Sequence, residues 1–334
     1  MGRDFKIIIP GGCNARCSFC FAGETKKTSP TWIGKLVTAL SDATPDFKEL
    51  NITGGEPTAS PFLIGALGII KKYKHKFPKV VMTTNGYKLA PEILAGVVDH
   101  LNISRHSSND AINNTIFGTN TVPYTHMLQS LISRCNEVGI DVSLSATLTQ
   151  GLNCHDDIIN MVRYTKDVGA SALKLRRDYN LGLGESDLER QFSYIKQISE
   201  STCPVCRVKT QLISGLRVSW HAGVMEPSDI INDDVYEIIL QPDGRVTLDY
   251  AGNKPYTFSV ERPIHTSLGA RAAAELRRSR ESMARCGAIG CDSLGYGCGS
   301  FAGNVPRLQP ENGCGSSRST YVYSGCGVYT PTGC

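Results

Sequence analysis

Six short apolar-rich runs recur along the first half of the chain: FKIII (5–9), ELNIT (49–53), KVVMTTN (79–85), HLNIS (100–104), DVSLSAT (141–147) and ALKLR (172–176). Each is rich in β-branched or aliphatic residues and ends in a polar or glycine-containing turn, the pattern of a strand. Longer stretches with helical spacing of apolar residues lie between them: SPTWIGKLVTALSDA (29–43), PFLIGALGIIKKYKHKF (61–77), YTHMLQSLISRCNEVG (124–139) and CHDDIINMVRYTKDVG (154–169). The first is expected to start with Ser29 as N-cap and Pro30 at its first helical position. The last two end in glycine, as helix C-termini prefer. Repeated βα units predict an α/β fold with a parallel sheet and right-handed crossovers. Six units predict a partial (βα)6 TIM-like barrel, open on one side, over residues 1–200. Sites in such folds gather at the C-terminal ends of the strands.

Beyond residue 200 the pattern changes, and residues 201–334 are expected to form a small Cys-rich C-terminal extension. VYEIILQPDGRVTLDYAG (235–252) alternates around Pro-Asp-Gly and predicts a hairpin, and TSLGARAAAELRRSRESMA (266–284) predicts a helix. The last fifty residues are rich in Gly, Cys and Ser and poor in aliphatics, so hydrophobic burial alone would not order them.

Composition bounds the function. Hydrophobic residues make up 41% of the 334 residues and charged residues 20%, enough for a sizeable core. No run approaches the length of a membrane span and no signal peptide is visible, so a cytoplasmic protein without a membrane partner is expected. A net charge of +4 is too weak to imply nucleic acid. The basic run KKYKHK (71–76) sits at a helix end, where cations suit the dipole. The thirteen cysteines are unusual, and they are clumped: three at 13–20, two at 203 and 206, and six from 286 to 334. Without a secretion signal, this pattern points to metal, cluster or redox chemistry instead of a disulfide framework.

The first clump, GGCNARCSFCFAGE (11–24), spaces Cys13, Cys17 and Cys20 as C-x3-C-x2-C just after the first strand. Thiolates are the usual ligands of iron–sulfur clusters, and three of them leave one metal position open. The alternative is a zinc site closed by a distant fourth ligand. With Phe19 beside the third cysteine and GGEP (54–57) at the end of the second strand, the motif resembles the radical S-adenosylmethionine (SAM) superfamily. The resemblance implies a [4Fe–4S] cluster held by Cys13, Cys17 and Cys20, with SAM on the fourth iron. One electron would then cleave SAM to a 5′-deoxyadenosyl radical that abstracts a hydrogen atom from a substrate. It also implies that Gly54, Gly55, Glu56, Asn85, Ser104, Ser145 and Arg176 contact SAM. A reductant protein such as flavodoxin or ferredoxin would supply the electron.

The hairpin, helix and later cysteines resemble the SPASM and twitch extensions of some radical SAM enzymes, with altered spacing. That resemblance implies an auxiliary [4Fe–4S] cluster on Cys286, Cys291, Cys298 and Cys314, with Cys326 and Cys334 in reserve. The pair Cys203–Cys206 is read either as ligands or as a redox pair. Peptide modification is the leading expectation for the substrate. Only twelve residues precede Cys13, too few for a leader-gripping domain, so a sugar, aminoglycoside or nucleotide substrate stays open. A molybdenum-cofactor-type cyclase shares the architecture, but its usual Gly-Gly end is replaced here by Thr332, Gly333 and Cys334. Asn85, Arg105, His106, Arg177, Asp178 and Tyr179 are expected to line the substrate. Cys154 is a candidate hydrogen-atom donor if the reaction is an epimerisation. The reading from another class is a non-catalytic iron–sulfur or nucleic-acid-binding module.

Overall fold

The computed structural model describes residues 3–20, 27–44, 46–149, 152–176, 192, 195, 197–200, 208–221 and 237–258. The six predicted strands are all present: β1 (Arg3–Ile9), β2 (Phe47–Gly54), β3 (Val80–Thr84), β4 (His100–Ser104), β5 (Asp141–Thr147) and β6 (Ala172–Arg176). They pair in chain order, each parallel to the next. The connecting helices are α1 (Trp32–Asp42), α2 (Leu63–Tyr73), α3 (Pro91–Leu94), α4 (Asp110–Phe117), α5 (Thr125–Glu137) and α6 (His155–Asp167).

The parallel run continues past both ends of this set. Three more strands, β7 (Gln197–Glu200), β8 (Lys209–Ile213) and β9 (Leu216–His221), follow β6, and β9 lies parallel to it. The tight β8–β9 turn carries Ser214 and Gly215 at φ of 50° and 81°, the left-handed pair that suits a two-residue hairpin. The predicted hairpin is β10 (Glu237–Leu240) with β11 (Val246–Thr247), and β10 pairs parallel with β1. The sheet order is β11-β10-β1-β2-β3-β4-β5-β6-β9-β8-β7.

Alternation along the strands separates two faces. Phe5, Ile7, Leu50, Ile52, Leu101, Leu144, Leu173, Leu175, Val218 and Trp220 face the helices and form the core. The other face carries His100, Asn102, Ser143 and Lys174, with Val81 and Ile239 as apolar members. This face curls into a lumen. Strands β2 and β6 are four positions apart, about 19 Å in a flat sheet, yet the Lys174 ammonium feels the Glu49 carboxylate. The Tyr250 phenol, beyond β11, likewise feels Arg176. This is the open partial barrel that the βα repeat predicts.

Three expectations change. Helix α1 starts at Trp32 with Thr31 as N-cap, not at Ser29 with Pro30. The Ser29 hydroxyl instead accepts a bond from the Thr31 N–H at 3.3 Å, forming a turn before the helix. The 61–77 segment is shorter as an α-helix and finishes in a 3-10 turn over Lys74–Lys76. There Lys76 Nζ donates to the carbonyls of Leu40, Ser41 and Ala43, capping α1, and Lys74 pairs with Asp99 at 2.6 Å. Arg105 does not line the lumen. It is 1% exposed and donates to the carbonyls of Ser107 and Pro123 and to Asp110 at 2.6 Å.

Asp110 starts α4 and is the counter-charge of this buried guanidinium. Partial burial opposes its charge, but hydrogen bonds from Arg105 and Thr125 and the Arg105 charge hold its carboxyl below the usual range. Asp110→Ala is expected to lower stability by about 2–3 kcal/mol, at the lower end for a buried pair because Asp110 is one-third exposed. A carboxyl depressed in the fold stabilises above its unfolded pKa of about 3.9 and loses that effect as pH falls through the folded value. The stability gap measured by urea denaturation should therefore be constant from about pH 5 to 7 and shrink towards pH 3. A gap of equal size at pH 3 and pH 7 would contradict the pairing.

Candidate active site

The three-cysteine loop leaves the C-terminal end of β1 and packs backbone to backbone on GGEP. The Glu56 N–H donates to the Gly12 carbonyl at 3.2 Å. A Cβ on Gly55 would lie 2.7 Å from the Gly12 oxygen, and one on Gly54 would lie 2.8 Å from the Ile9 oxygen. Both obstacles are main-chain atoms, so the two glycines are required by this close approach. Ser60 reinforces it by donating to the Pro10 carbonyl.

Glu56 is 2% exposed. One carboxylate oxygen accepts bonds from the Thr58 N–H at 3.0 Å, the Thr58 hydroxyl at 2.7 Å and the Thr84 hydroxyl at 2.6 Å. The other accepts the Asn85 N–H at 2.7 Å. Burial pushes its pKa up, and these four donors pull it back. The carboxylate thus ties the end of β2 to the end of β3. Asn85 passes the connection on: its side-chain amide donates to Asn14 Oδ1 at 2.8 Å, inside the cysteine loop. Asn14 in turn donates to Thr121 at 2.8 Å, and the Arg16 N–H donates to the Phe117 carbonyl at 2.7 Å.

Phe19 stands edge-on to the His106 ring with centroids 4.8 Å apart, and His106 meets Phe117 at 4.8 Å. Burial, then the charge of Arg105, lowers the His106 pKa to about 3, so the ring is neutral. Its Nδ1 accepts the Thr147 N–H at 3.0 Å, which puts the remaining proton on Nε2. His106 therefore supports the aromatic beside Cys20 and is itself buried.

Cys13 and Cys20 are exposed and Cys17 is half-buried. Burial raises the Cys13 thiol, and burial with the neighbouring Cys20 and Cys13 sulfurs raises Cys17 to about 12. The three sulfurs are close enough to repel one another as thiolates, so a positively charged group is what would hold them ionised. Among the described residues, no three His, Cys, Asp or Glu side chains converge as the ligands of a single ion must. A cluster that takes one thiolate per iron needs no such convergence, and three free thiols on an exposed loop suit it. A cleft of about 340 Å³ opens beside Cys13, between Gly12, Asn14, Thr58, Tyr87 and Lys88.

The remaining predicted residues are placed as follows. Ser104 and Ser145 are register partners on the lumen face, and Arg176 Nε donates to Ser145 Oγ at 3.4 Å. Cys154 is the N-cap of α6, its thiol donating to Asp157 at 3.1 Å. Arg177, Asp178, Tyr179, Cys203, Cys206, Cys286, Cys291, Cys298, Cys314, Cys326, Cys334 and the 266–284 helix lie outside the described residues. Sequence reasoning passed over Asn14, Thr58, Thr84, Lys174 and His221. The hydroxyls two residues after Glu56 and one before Asn85 were the available signal. His221 ends an alternating run, LRVSWH (216–221), that reads as one more strand.

Gly55→Ala should prevent the cysteine loop from seating. After anaerobic reconstitution, its bound iron should fall to less than about half of the wild-type content, since a backbone clash of this size must move the loop. Wild-type iron in that variant would show that the close approach is dispensable.

The radical SAM superfamily model matches residues 7–164. A probable GTP 3′,8-cyclase of Thermococcus kodakarensis is 26% identical over 207 residues, covering 59% of this chain and 64% of that protein. The chain spans less than two thirds of the length of the curated relatives it matches, 49% for the GTP 3′,8-cyclase of a Nostoc species. Among solved structures, Streptococcus suis SuiB bound to its precursor peptide SuiA has a TM-score of 0.57 and 15% identity, covering 80% of this chain and 64% of that one. Native anSMEcpe with bound AdoMet has a TM-score of 0.51 and 16% identity, covering 77% and 75%. These two likenesses show a shared fold. With a three-cysteine loop seated on GGEP at the mouth of an open parallel barrel, residues 7–164 are a radical SAM domain, the domain of a superfamily of enzymes.

Proposed function

We propose that the chain is a radical SAM enzyme that cleaves SAM reductively and abstracts a hydrogen atom from a polar small-molecule substrate in the lumen. The observation that carries the first part is the backbone packing of the cysteine loop on GGEP. Cys13, Cys17 and Cys20 would hold a [4Fe–4S] cluster, leaving one iron free. Gly54, Gly55 and Glu56 would offer the backbone edge on which the amino end of SAM rests, and Asn85, Ser104 and Ser145 would take its other polar groups; Arg176, which the resemblance also assigns to SAM, would keep its two terminal nitrogens for the substrate. When bound, the cluster and SAM supply a 5′-deoxyadenosyl radical as the hydrogen acceptor. Phe19, braced by His106, keeps water from the side of the loop that faces α4.

Two features support the substrate class. The lumen is lined by polar and charged side chains, and the curated relatives are named as cyclases of a nucleotide. Peptide modification is the second reading; it rests on the fold shared with SuiB, whose structure holds a precursor peptide. We further propose an auxiliary [4Fe–4S] cluster on Cys286, Cys291, Cys298 and Cys314. A flavodoxin- or ferredoxin-like protein is the proposed electron donor. If the net reaction is an epimerisation, Cys154 would return the hydrogen atom. No helix among the described residues is long and apolar enough to cross a membrane.

Anaerobic incubation with SAM and a strong reductant should form 5′-deoxyadenosine, and Cys17→Ala should abolish it. A protein with a full cluster that forms none would be a binding module. Replacing Cys13, Cys17 and Cys20 together should leave about four irons per chain if the auxiliary cluster exists; no residual iron would remove it.

A further inference from the structure

Strands β6 and β9 are parallel neighbours, with Lys174 opposite Ser219 and Arg176 opposite His221. Their intervening residues Leu173, Leu175, Val218 and Trp220 belong to the core. Alternation therefore puts Lys174, Arg176 and His221 on the lumen face, at or one step below the C-terminal ends of both strands. Three features set this group apart. The Nε2 atom of His221 is buried and has no hydrogen-bond partner among the described residues. Such an atom costs free energy unless a ligand or water satisfies it. Burial, then the charges of Arg176 and Lys174, keeps the imidazole neutral, so it brings one donor or acceptor and no charge. Arg176 spends only its Nε, on Ser145; its two terminal nitrogens have no partner among the described residues. Lys174 donates to Asn102 Oδ1 at 2.6 Å, which holds the ammonium within the lumen wall.

Resting on the enzyme reading above, we propose that Arg176, His221 and Lys174 form an oxyanion subsite that anchors a phosphate or carboxylate group of the substrate. A guanidinium with a free terminal edge binds such a group through paired N–H donors. The neutral imidazole supplies a further hydrogen bond without adding a third positive charge. The ammonium one layer below adds attraction at longer range. Anchoring at β6 and β9 would hold the substrate across the lumen from the cysteine loop, which follows β1. The carboxylate of SAM is the competing occupant.

The test is calorimetric titration of the full-length, cluster-loaded chain, kept anaerobic, with pyrophosphate and separately with succinate. Saturable binding of either is expected, and the preferred probe tells phosphate from carboxylate. Arg176→Gln should weaken it about tenfold, the size of a lost charged hydrogen-bond pair, and His221→Gln about threefold to tenfold. Saturating SAM should leave the probe's affinity unchanged. Binding of neither probe, or binding unaltered in Arg176→Gln, would overturn the subsite. Displacement of the probe by SAM would assign the site to SAM and overturn the substrate role. Arg176 is exposed, so its variant is expected to fold even where His221→Gln does not. Probe binding is read without 5′-deoxyadenosine formation, so a failure of the subsite and a failure of the enzyme reading give different results.

Discussion

The buried carboxylate of Glu56 is where three separate segments of the chain are joined. Its four hydrogen bonds tie β2 to β3, while its own N–H reaches the Gly12 carbonyl. Asn85, fixed by the same carboxylate, reaches Asn14 and so holds the cysteine loop from the other side. A buried charge with this many donors is rigid because any movement leaves an acceptor unsatisfied. The three thiols inherit that rigidity. They sit on an irregular stretch that could not otherwise hold a common orientation, and hydrogen bonds to two strand ends and to the end of α4 supply what secondary structure does not.

The barrel was legible because its strands bury one full face against helices. FKIII, HLNIS, DVSLSAT and ALKLR each keep an apolar alternate set, and the observed strands begin and end within two residues of these runs. Strand β9 was not read. Its run LRVSWH alternates just as well, but it follows a stretch with no helical pattern, so nothing announced another parallel strand. The start of α1 was misread because Ser-Pro is a good helix opening in isolation; here Ser29 is used one turn earlier, where its N–H bonds the Pro242 carbonyl. That partner is more than two hundred residues away, and local sequence does not show it.

The site was legible in kind and less so in detail. Cysteine spacing and GGEP pointed to the chemistry because each has a steric or ligand-count reason that survives without a structure. Residues at strand ends were less readable, because the side chain after a strand can turn either way. Arg105 turns into a cage of carbonyls and His106 into an aromatic stack with Phe19 and Phe117. Arg176 stays on the lumen face, with Lys174 below it and His221 beside it. The lumen that results is largely polar from β4 to β9, and that property, more than the shared fold, speaks to what enters it.

The account as a whole depends on one iron being left open by the three cysteines. Electron paramagnetic resonance of the reduced, cluster-loaded protein, recorded with and without SAM, addresses this directly. The account predicts a [4Fe–4S] signal whose g-values shift when SAM is added. A signal of the same kind that stays unchanged at saturating SAM would mean that no iron is open to it, and would contradict the reading of the cysteine loop.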